Sequence, residues 1–532
     1  MQFRNTRVAV RLRMHRLIAS GFICAGALAH AATFSVTSVG DNGGVNPAPN
    51  AGTGTLRQAI VDANAAGGAG NQISFNITGS GAHTIALAGQ LPAISSNLLI
   101  NGATQSGTVL NTHAPDQGGV TTQLMIQIDG GNVQSYAFAT SGNVMVGVEH
   151  LALNGFTTSA IAGDANVSGG SLTVRGCFIG AQLDGSAFPS GYGNGGVAIR
   201  TGAGHAQIGG ALPGERNLIS GNGSGGILVG GPAIIEGNLI GPDASGTSAI
   251  GNGPQSNWPG IVLPGNFANV RVGCSAAGCS SANSRNVISG NHTFGIGIWD
   301  GFVAGHGAGG LEIKGNYIGT DWTGTKPLPN GDATTACQAY CGGIQLQGSS
   351  ATPASIIGGF GAGEANLIAF NNGAGIIPGS NNSGESFDSR ANAIHGNRAI
   401  GRANIDIGTL GPTANDAADA DGGANAGQNT PQIVSASVSG GQLHVTYRVD
   451  SATTNATYPL RVDFYANVHG GSGAYIGQDT YATADAQLDK SISLALPPNV
   501  VGIPFVATAT DAEGYTSEFV AAYDVIFEDQ FE

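Results

Sequence analysis

The chain has 532 residues, of which 41% are apolar, only 10% are charged and 90 are glycine. Its 33 acidic against 19 basic side chains exclude nucleic acid and anionic membranes as partners, because both demand a cationic footprint. The apolar fraction is too high for an acidic disordered chain, so the composition describes a Gly/Asn-rich β architecture.

Residues 1–31 read as a secretory signal peptide. Arg4, Arg7, Arg11, Arg13 and Arg16 make a basic start, residues 17–28 a short apolar run, and Ala29-His30-Ala31 a small-x-small cleavage pattern. That run is too short to span a bilayer comfortably, and no later segment reaches transmembrane length. The expected product is Sec-exported, extracellular or held at the cell surface, and monomeric. Loss of five arginines leaves 14 basic against 33 acidic side chains, a formal charge of −19.

The region 32–102 opens with alternation over residues 33–37, which predicts a strand. Residues 55–64 then predict a helix. Thr55 and Gln58 have capping-box spacing, and Leu56, Ala59, Ile60 and Ala63 fall on one face. One short amphipathic helix ahead of a long β array suits a cap over bare strand edges.

Residues 103–411 are repetitive. Arg216-Asn-Leu-Ile-Ser-Gly-Asn222 returns as Arg285-Asn-Val-Ile-Ser-Gly-Asn291 and decays into copies from Asn366 and Asn392. Interleaved are Glu236-Gly-Asn-Leu-Ile-Gly241, Lys314-Gly-Asn-Tyr-Ile-Gly319 and the weaker Arg175-Gly-Cys-Phe-Ile-Gly180. Such self-similarity marks a solenoid. Runs beginning at Gly226, Gly260, Gly295 and Gly343 lie 34, 35 and 48 residues apart, and the interposed motifs predict a coil of roughly 20–25 residues. Each recurring Ile is expected inside, and each Asn in a turn, its amide bonding along the stack.

Residues 412–429 form an acidic linker, residues 430–523 alternate as the strands of a small Ig/fibronectin-like β-sandwich, and residues 524–532 are a C-terminal tail.

In an exported protein, Cys274 with Cys279 and Cys337 with Cys341 most simply form two local disulfides, a four-thiolate metal site being the sharper alternative. Cys177 stands where Asn238 and Asn316 stand in the repeat, which predicts a buried, inert thiol. Asp416, Asp419, Asp421 and Asn425 offer hard oxygen ligands within ten residues and suit a structural Ca²⁺, against the plainer reading of a solvated Asx-turn loop. Arg175, Glu236 and Lys314 share one repeat slot, with Glu312 two positions before Lys314, so they predict a charged row along one face. That row is either a glycan contact or a solvated surface. Trp258, Trp299 and Trp322, with Tyr317 and Tyr340, are the rings available to stack on sugars, and Trp322 is expected in an exposed turn.

Three motifs together carry a resemblance: T-L-R-x-A-I-x-x-A-N at residues 55–64, G-N-x-I-G-T-D-x-x-G-T at 315–325 and N-D-x-x-D-x-D-x-G-x-N at 415–425. The chain resembles secreted bacterial proteins with the right-handed parallel β-helix of the pectin-lyase-like superfold. Residues 526–532 are similar to the I-F-x-D-G-F-E tail of some Gram-negative exported proteins, with Gln530 in place of the usual Gly. The resemblance implies an all-β fold and export. It does not imply one activity, because this fold carries lyases, hydrolases, epimerases, adhesins and non-catalytic surface proteins.

Catalytic constellations are missing. Gly305-His306-Gly307 resembles the G-H-G of polygalacturonases, yet the chain has no N-T-D and no adjacent Asp pair. The leading expectation is a non-catalytic protein presenting an extended flank to a polysaccharide or cell-surface glycan. The alternative is a polysaccharide-active enzyme, lyase ahead of hydrolase. It requires Asp300, His306, Asp321 and Asp332 to converge with Arg or Lys in a groove.

Overall fold

The computed structural model describes residues 32–41, 53–68, 70–166, 168–191, 193–263, 269–275, 279, 282–298, 311–332, 341–346, 355–378, 387–390, 392–395, 404–408, 411–468, 471–498, 500, 504–519, 523 and 526–527. The chain winds into the expected right-handed parallel β-helix, the hand favoured by crossovers between parallel strands. Three sheets run along it. The first has eleven strands, from Thr33–Val36 to Phe387–Arg390. The second begins at His83–Ala86 and stays parallel to Ala393–His395. The third has eight strands, from Phe138–Ala139 to Ala374–Pro378.

The inward isoleucines are as expected. Ile179, Ile219, Ile240, Ile288, Ile318 and Ile368 stack in the second sheet with no exposure at all. Between the sheets run two ladders of buried asparagine. In one, Asn217, Asn238, Asn286, Asn316, Asn366 and Asn392 each donate Nδ2 to the next Oδ1 at 2.9, 3.0, 2.9, 3.0 and 3.0 Å. In the other, Asn194, Asn222, Asn252, Asn291, Asn330 and Asn371 do so at 3.0, 2.8, 2.9, 3.0 and 2.9 Å. Each amide has a second outlet: Asn286 Nδ2 also donates to the Ile235 carbonyl at 2.8 Å, and its Oδ1 also accepts the Asn238 N–H at 3.0 Å.

The coil length departs from the sequence expectation. Ile227, Ile261, Ile296 and Ile344 are direct neighbours in the third sheet, so separations of 34, 35 and 48 residues are single coils. The N-x-I-x-G-N and G-N-x-I-G motifs are not consecutive turns of one coil. They occupy the same second-sheet slot in alternate coils, since Leu218 pairs with Leu239, Leu239 with Val287, and Val287 with Tyr317. Where the first motif stands, two ladder asparagines lie five residues apart. Where the second stands, a loop separates them, as in Asn238 to Asn252 and Asn316 to Asn330.

At the N-terminal end, helix Leu56–Ala66 buries Leu56, Ala59, Ile60 and Ala63 against the first strands. Thr55 caps it by accepting the Gln58 N–H at 3.2 Å, while the Gln58 amide turns to Asp62 instead of closing a capping box. Arg57 is 1% exposed: Asp41 receives its Nε at 2.5 Å and its Nη2 at 2.7 Å, and the Gln90 and Gly89 carbonyls take its other donors.

At the other end, the second sheet continues into a sandwich. Ile394 pairs antiparallel with Ser472, and Gly471–Tyr481, Leu460–Val468 and Phe505–Thr510 extend the sheet. The opposing four-stranded sheet holds Gln432–Ser439, Gln442–Arg448, Lys490–Ala495 and Ile526–Phe527. Tyr447, Leu443, Val445, Val462, Phe464, Tyr481 and Phe505 form the core between them. No helix among the described residues is long and apolar enough to cross a membrane.

The ladder gives a direct expectation. Asn286→Ala removes the acceptor of the Asn238 backbone N–H and of one Asn238 amide proton, each loss costing about 1–3 kcal/mol. The variant should lower the denaturant midpoint by the equivalent of about 3 kcal/mol, whereas Ser248→Ala on an exposed turn should lie within about 0.5 kcal/mol of wild type. Equal midpoints for the two variants would contradict a stabilising ladder.

Candidate functional site

The predicted charged row exists. Arg175 faces Glu149 across the first sheet, and the same column continues through Gly209, Glu236, Gly273, Lys314, Gly358 and Arg390. Glycine is required between the charges: Gly273 has φ +95°, and a Cβ there would lie 1.9 Å from the Lys314 carbonyl oxygen. Three of these side chains meet acid or base within the protein. Arg175 pairs with Glu215 at 3.0 Å and Glu236 with Arg271 at 3.3 Å. Lys314 is 8% exposed and sits 3.4 Å from Glu312 and 3.7 Å from Glu364. Arg175, Glu236 and Lys314 are thus each engaged by an opposite charge of the protein itself.

A second flank is built from loops of the alternate coils. Asp243 Oδ1 accepts the Ser245 hydroxyl at 2.7 Å and the Thr247 and Ser248 N–H groups at 3.2 Å. Asp321 Oδ1 does the same with the Thr323 hydroxyl at 2.6 Å, the Thr325 N–H at 3.3 Å and the Lys326 N–H at 3.2 Å. Asp184 binds Ser186 similarly. The loops stack as a rib: the Ala244 N–H donates to the Gly185 carbonyl at 3.0 Å and the Trp322 N–H to the Gly246 carbonyl at 3.1 Å. Trp322 is therefore half-buried, not an exposed platform. It packs with Val120, Leu124, Phe178, Leu239 and Val287 in a satellite core that covers the outward apolar residues of the second sheet.

Of the loop acids, Asp321 is 1% exposed and held in its turn, while Asp332 pairs with His292 at 3.5 Å. Asp300, His306, Trp299, Tyr340 and Cys337 lie outside the described residues, as do the signal and the last five positions of the tail. Cys274 and Cys279 are bonded to each other, and Cys341 is disulfide-bonded. Cys177 is fully buried and its thiol is pushed up to about 12 by desolvation. Its N–H donates to Asn217 Oδ1 at 2.9 Å and its Sγ to the Val148 carbonyl at 3.5 Å, so it takes the next position of the first ladder.

The acidic linker folds against the sandwich and brings ligand oxygens of Asp416, Asp419 and Asp421 within 4.8 Å of one another. Asp419 is 3% exposed and accepts from Gln428 at 2.8 Å, Ser451 at 2.6 Å and the Asn429 N–H at 2.9 Å. Burial raises its pKa to about 6, with Asp416 and Asp421 adding repulsion. Asp416 Oδ2 caps the Ala420 and Asp421 N–H groups, while its Oδ1 is buried without a hydrogen-bond partner. Asn425 is buried and donates to the Thr516 carbonyl at 2.6 Å.

Sequence reasoning missed the acids beside this linker. Glu518 reaches back to the end of the solenoid, accepting the Ile407 N–H at 2.7 Å and the Thr413 N–H at 2.9 Å. Burial raises Glu518 to about 7, with Asp406 contributing, and raises Asp406 to about 6. Over a hundred residues separate Glu518 from the N–H groups it caps, so no local signal reveals the contact.

No protein-family model and no curated protein matches the chain. A solved structure similar to it is the enzymatically active domain of tailspike protein 2 from bacteriophage CBA120. The likeness spans 88% of this chain and 73% of that one, at 12% identity and a TM-score of 0.21.

A pH dependence follows from Glu518. Its folded pKa lies above its ordinary value, so the folded state holds the proton more tightly. The stabilisation is complete below about pH 4 and is lost as pH rises through about 7. Wild-type unfolding midpoints should fall between pH 5 and 8 more steeply than those of Glu518→Gln. Parallel curves would remove Glu518 from the junction's titration.

Proposed function

We propose that this is a secreted, non-catalytic β-helix protein whose long flank contacts a polysaccharide or cell-surface glycan. The observation that carries the reading is the neutralisation of the charged strip. A lyase must offer a cation to the uronate carboxylate and a free base to the neighbouring proton. Lys314, Arg271 and Arg175 are each held by the protein's own carboxylates. What the loop rib offers solvent instead is exposed hydroxyls on Ser245, Thr247, Ser248 and Thr325, set on turns of repeated geometry. Repeated turns along a rigid axis suit a repeating polymer, where several weak contacts combine as avidity.

The test is the chain length of acidic and neutral polysaccharides after incubation with the purified protein and Ca²⁺, read by size exclusion. Unchanged polymers with the protein co-eluting on at least one of them are expected. A shortened polymer would overturn the non-catalytic reading in favour of a polysaccharide-active enzyme.

The same reading includes a structural Ca²⁺ at the junction of solenoid and sandwich. Asp416, Asp419 and Asp421 would hold it, since three crowded carboxylates and an orphaned oxygen suit a hard dication. Burial, and after it repulsion from the neighbouring carboxylates, raises Asp419 and Asp421, and bound Ca²⁺ would offset that repulsion. Millimolar Ca²⁺ should raise the unfolding midpoint of wild type over that in chelator, and should leave Asp416→Asn/Asp421→Asn unmoved. Identical wild-type midpoints in both buffers would sink the cation.

A further inference from the structure

The sandwich carries a surface of its own. Alternation along its strands sends Ala436, Leu443, Val445 and Tyr447 into the core. The middle of the opposite face of the four-stranded sheet is lined by hydroxyls and an imidazole, and the nearest charges, Arg448 and Asp489 beyond Thr446, are paired with each other at 2.9 Å. Register arranges the hydroxyls and the imidazole in two rungs, Ser435–Thr446–Ser491 and Ser437–His444–Ser493. These six side chains line an open cleft of about 530 Å³.

Two pairs are already bonded within the rungs: His444 Nδ1 with Ser493 Oγ at 2.8 Å, and Thr446 Oγ1 with Ser491 Oγ at 2.7 Å. The Ser435 and Ser437 hydroxyls make no hydrogen bond among the described residues. The cleft therefore offers fixed hydroxyl partners together with free ones. Such a mixture matches a ligand that is itself donor and acceptor at every position.

The missing residue types narrow the ligand further. This protein has 33 acidic side chains, yet neither acid nor Lys nor Arg lines the cleft. A polyanion would find no cation in the cleft and only the Asp489-paired Arg448 beside it, and an apolar helix or lipid would leave the hydroxyls unpaired in a dry interface. A second copy of the same sheet would set serine rows against serine rows with no apolar anchor, which is not how stable interfaces are centred.

We propose that this Ser/Thr/His face binds a neutral polysaccharide. The proposal rests on the glycan-contact reading and adds to it a second site, away from the loop rib, with selectivity for uncharged chains. Contact through hydrogen bonds without a stacking ring makes the single site weak. The solenoid flank and the sandwich face would then act together on one polymer.

The experiment is affinity electrophoresis of the full protein through gels cast with neutral polysaccharides (a β-glucan, a xylan, a mannan) or with polygalacturonate. The variants are Ser437→Ala/Thr446→Ala, Ser437→Arg to block the cleft, and Thr247→Arg on the loop rib. Unfolding midpoints are measured alongside, so that a folding defect is not read as lost binding. Wild type should be retarded by at least one neutral polymer. The double alanine variant should bind it on the order of tenfold more weakly, and Ser437→Arg should abolish retardation. Thr247→Arg should keep the sandwich contribution.

Full retardation of Ser437→Arg would overturn the proposal. Abolition by Thr247→Arg, with Ser437→Arg unaffected, would place binding on the solenoid flank alone. Retardation of wild type by polygalacturonate only would reject the sandwich site and leave the broader glycan reading standing. No retardation in any gel would reject both.

Discussion

The asparagine amide stack is the constraint on which the rest of the solenoid depends. A buried primary amide has two donors and one double acceptor, and leaving any of them unpaired costs more than the bond itself returns. In a closed coil the missing partners exist only in the coil before and the coil after. Each Asn therefore locks its own coil to both neighbours at strand spacing, about 4.8 Å. The lock sits at the corners between sheets, where backbone groups would otherwise be left without ladder partners.

That lock explains how coils of very different length coexist. Leu218 and Leu239 are 21 residues apart, whereas Tyr317 and Leu367 are 50 apart, yet both pairs are direct neighbours. As long as the two asparagines and the inward isoleucine keep their slots, the chain between them can leave the scaffold and return. Loop closure costs grow only slowly with length. Insertions therefore gather at the same places in alternate coils, where they pack on one another and build a second, shallower core over Phe178, Leu239 and Val287.

Much of this was legible in the sequence because it is periodic. The isoleucines, the asparagines, the capping helix and the linker all announce themselves by spacing, and the two motifs differ in ways a structure explains. The coil length was misread because alternate occupants of one slot look, in sequence, like successive elements. Arg57 and Arg216 were invisible as core residues, since charge ordinarily means surface. Arg216 is fully buried, donating to the His113, Gly118, Gly119 and Gly237 carbonyls, and its pKa falls to about 10 from desolvation. Trp322 was misjudged for the opposite reason: a polar turn predicts exposure, and nothing local says that the next loop lies beneath it. The serine rungs were open to view in the alternation of residues 435–437, 444–446 and 491–493, but their shared face exists only once the strands pair.

Charge is distributed to match this division of labour. Along the first sheet, opposite charges a coil apart neutralise each other, and glycine in the intervening coils gives them room. These pairs are partly buried, and their effect is that the cations of the strip are engaged by the protein's own carboxylates. At the junction the arrangement is reversed. Asp406, Asp419 and Glu518 are buried with hydrogen bonds but, among the described residues, no basic partner in contact, and the protein accepts raised pKa values there. Their oxygens accept the backbone N–H groups of Ile407, Gly411, Thr413 and Asn429, which the last irregular stretch of the solenoid would otherwise leave bare. The sandwich is thus the cap of the C-terminal end as well as a module in its own right. Removing it would expose both the edge of the second sheet at Ile394 and the N–H groups of Ile407 and Thr413, so the last coils depend on the sandwich for their closing contacts.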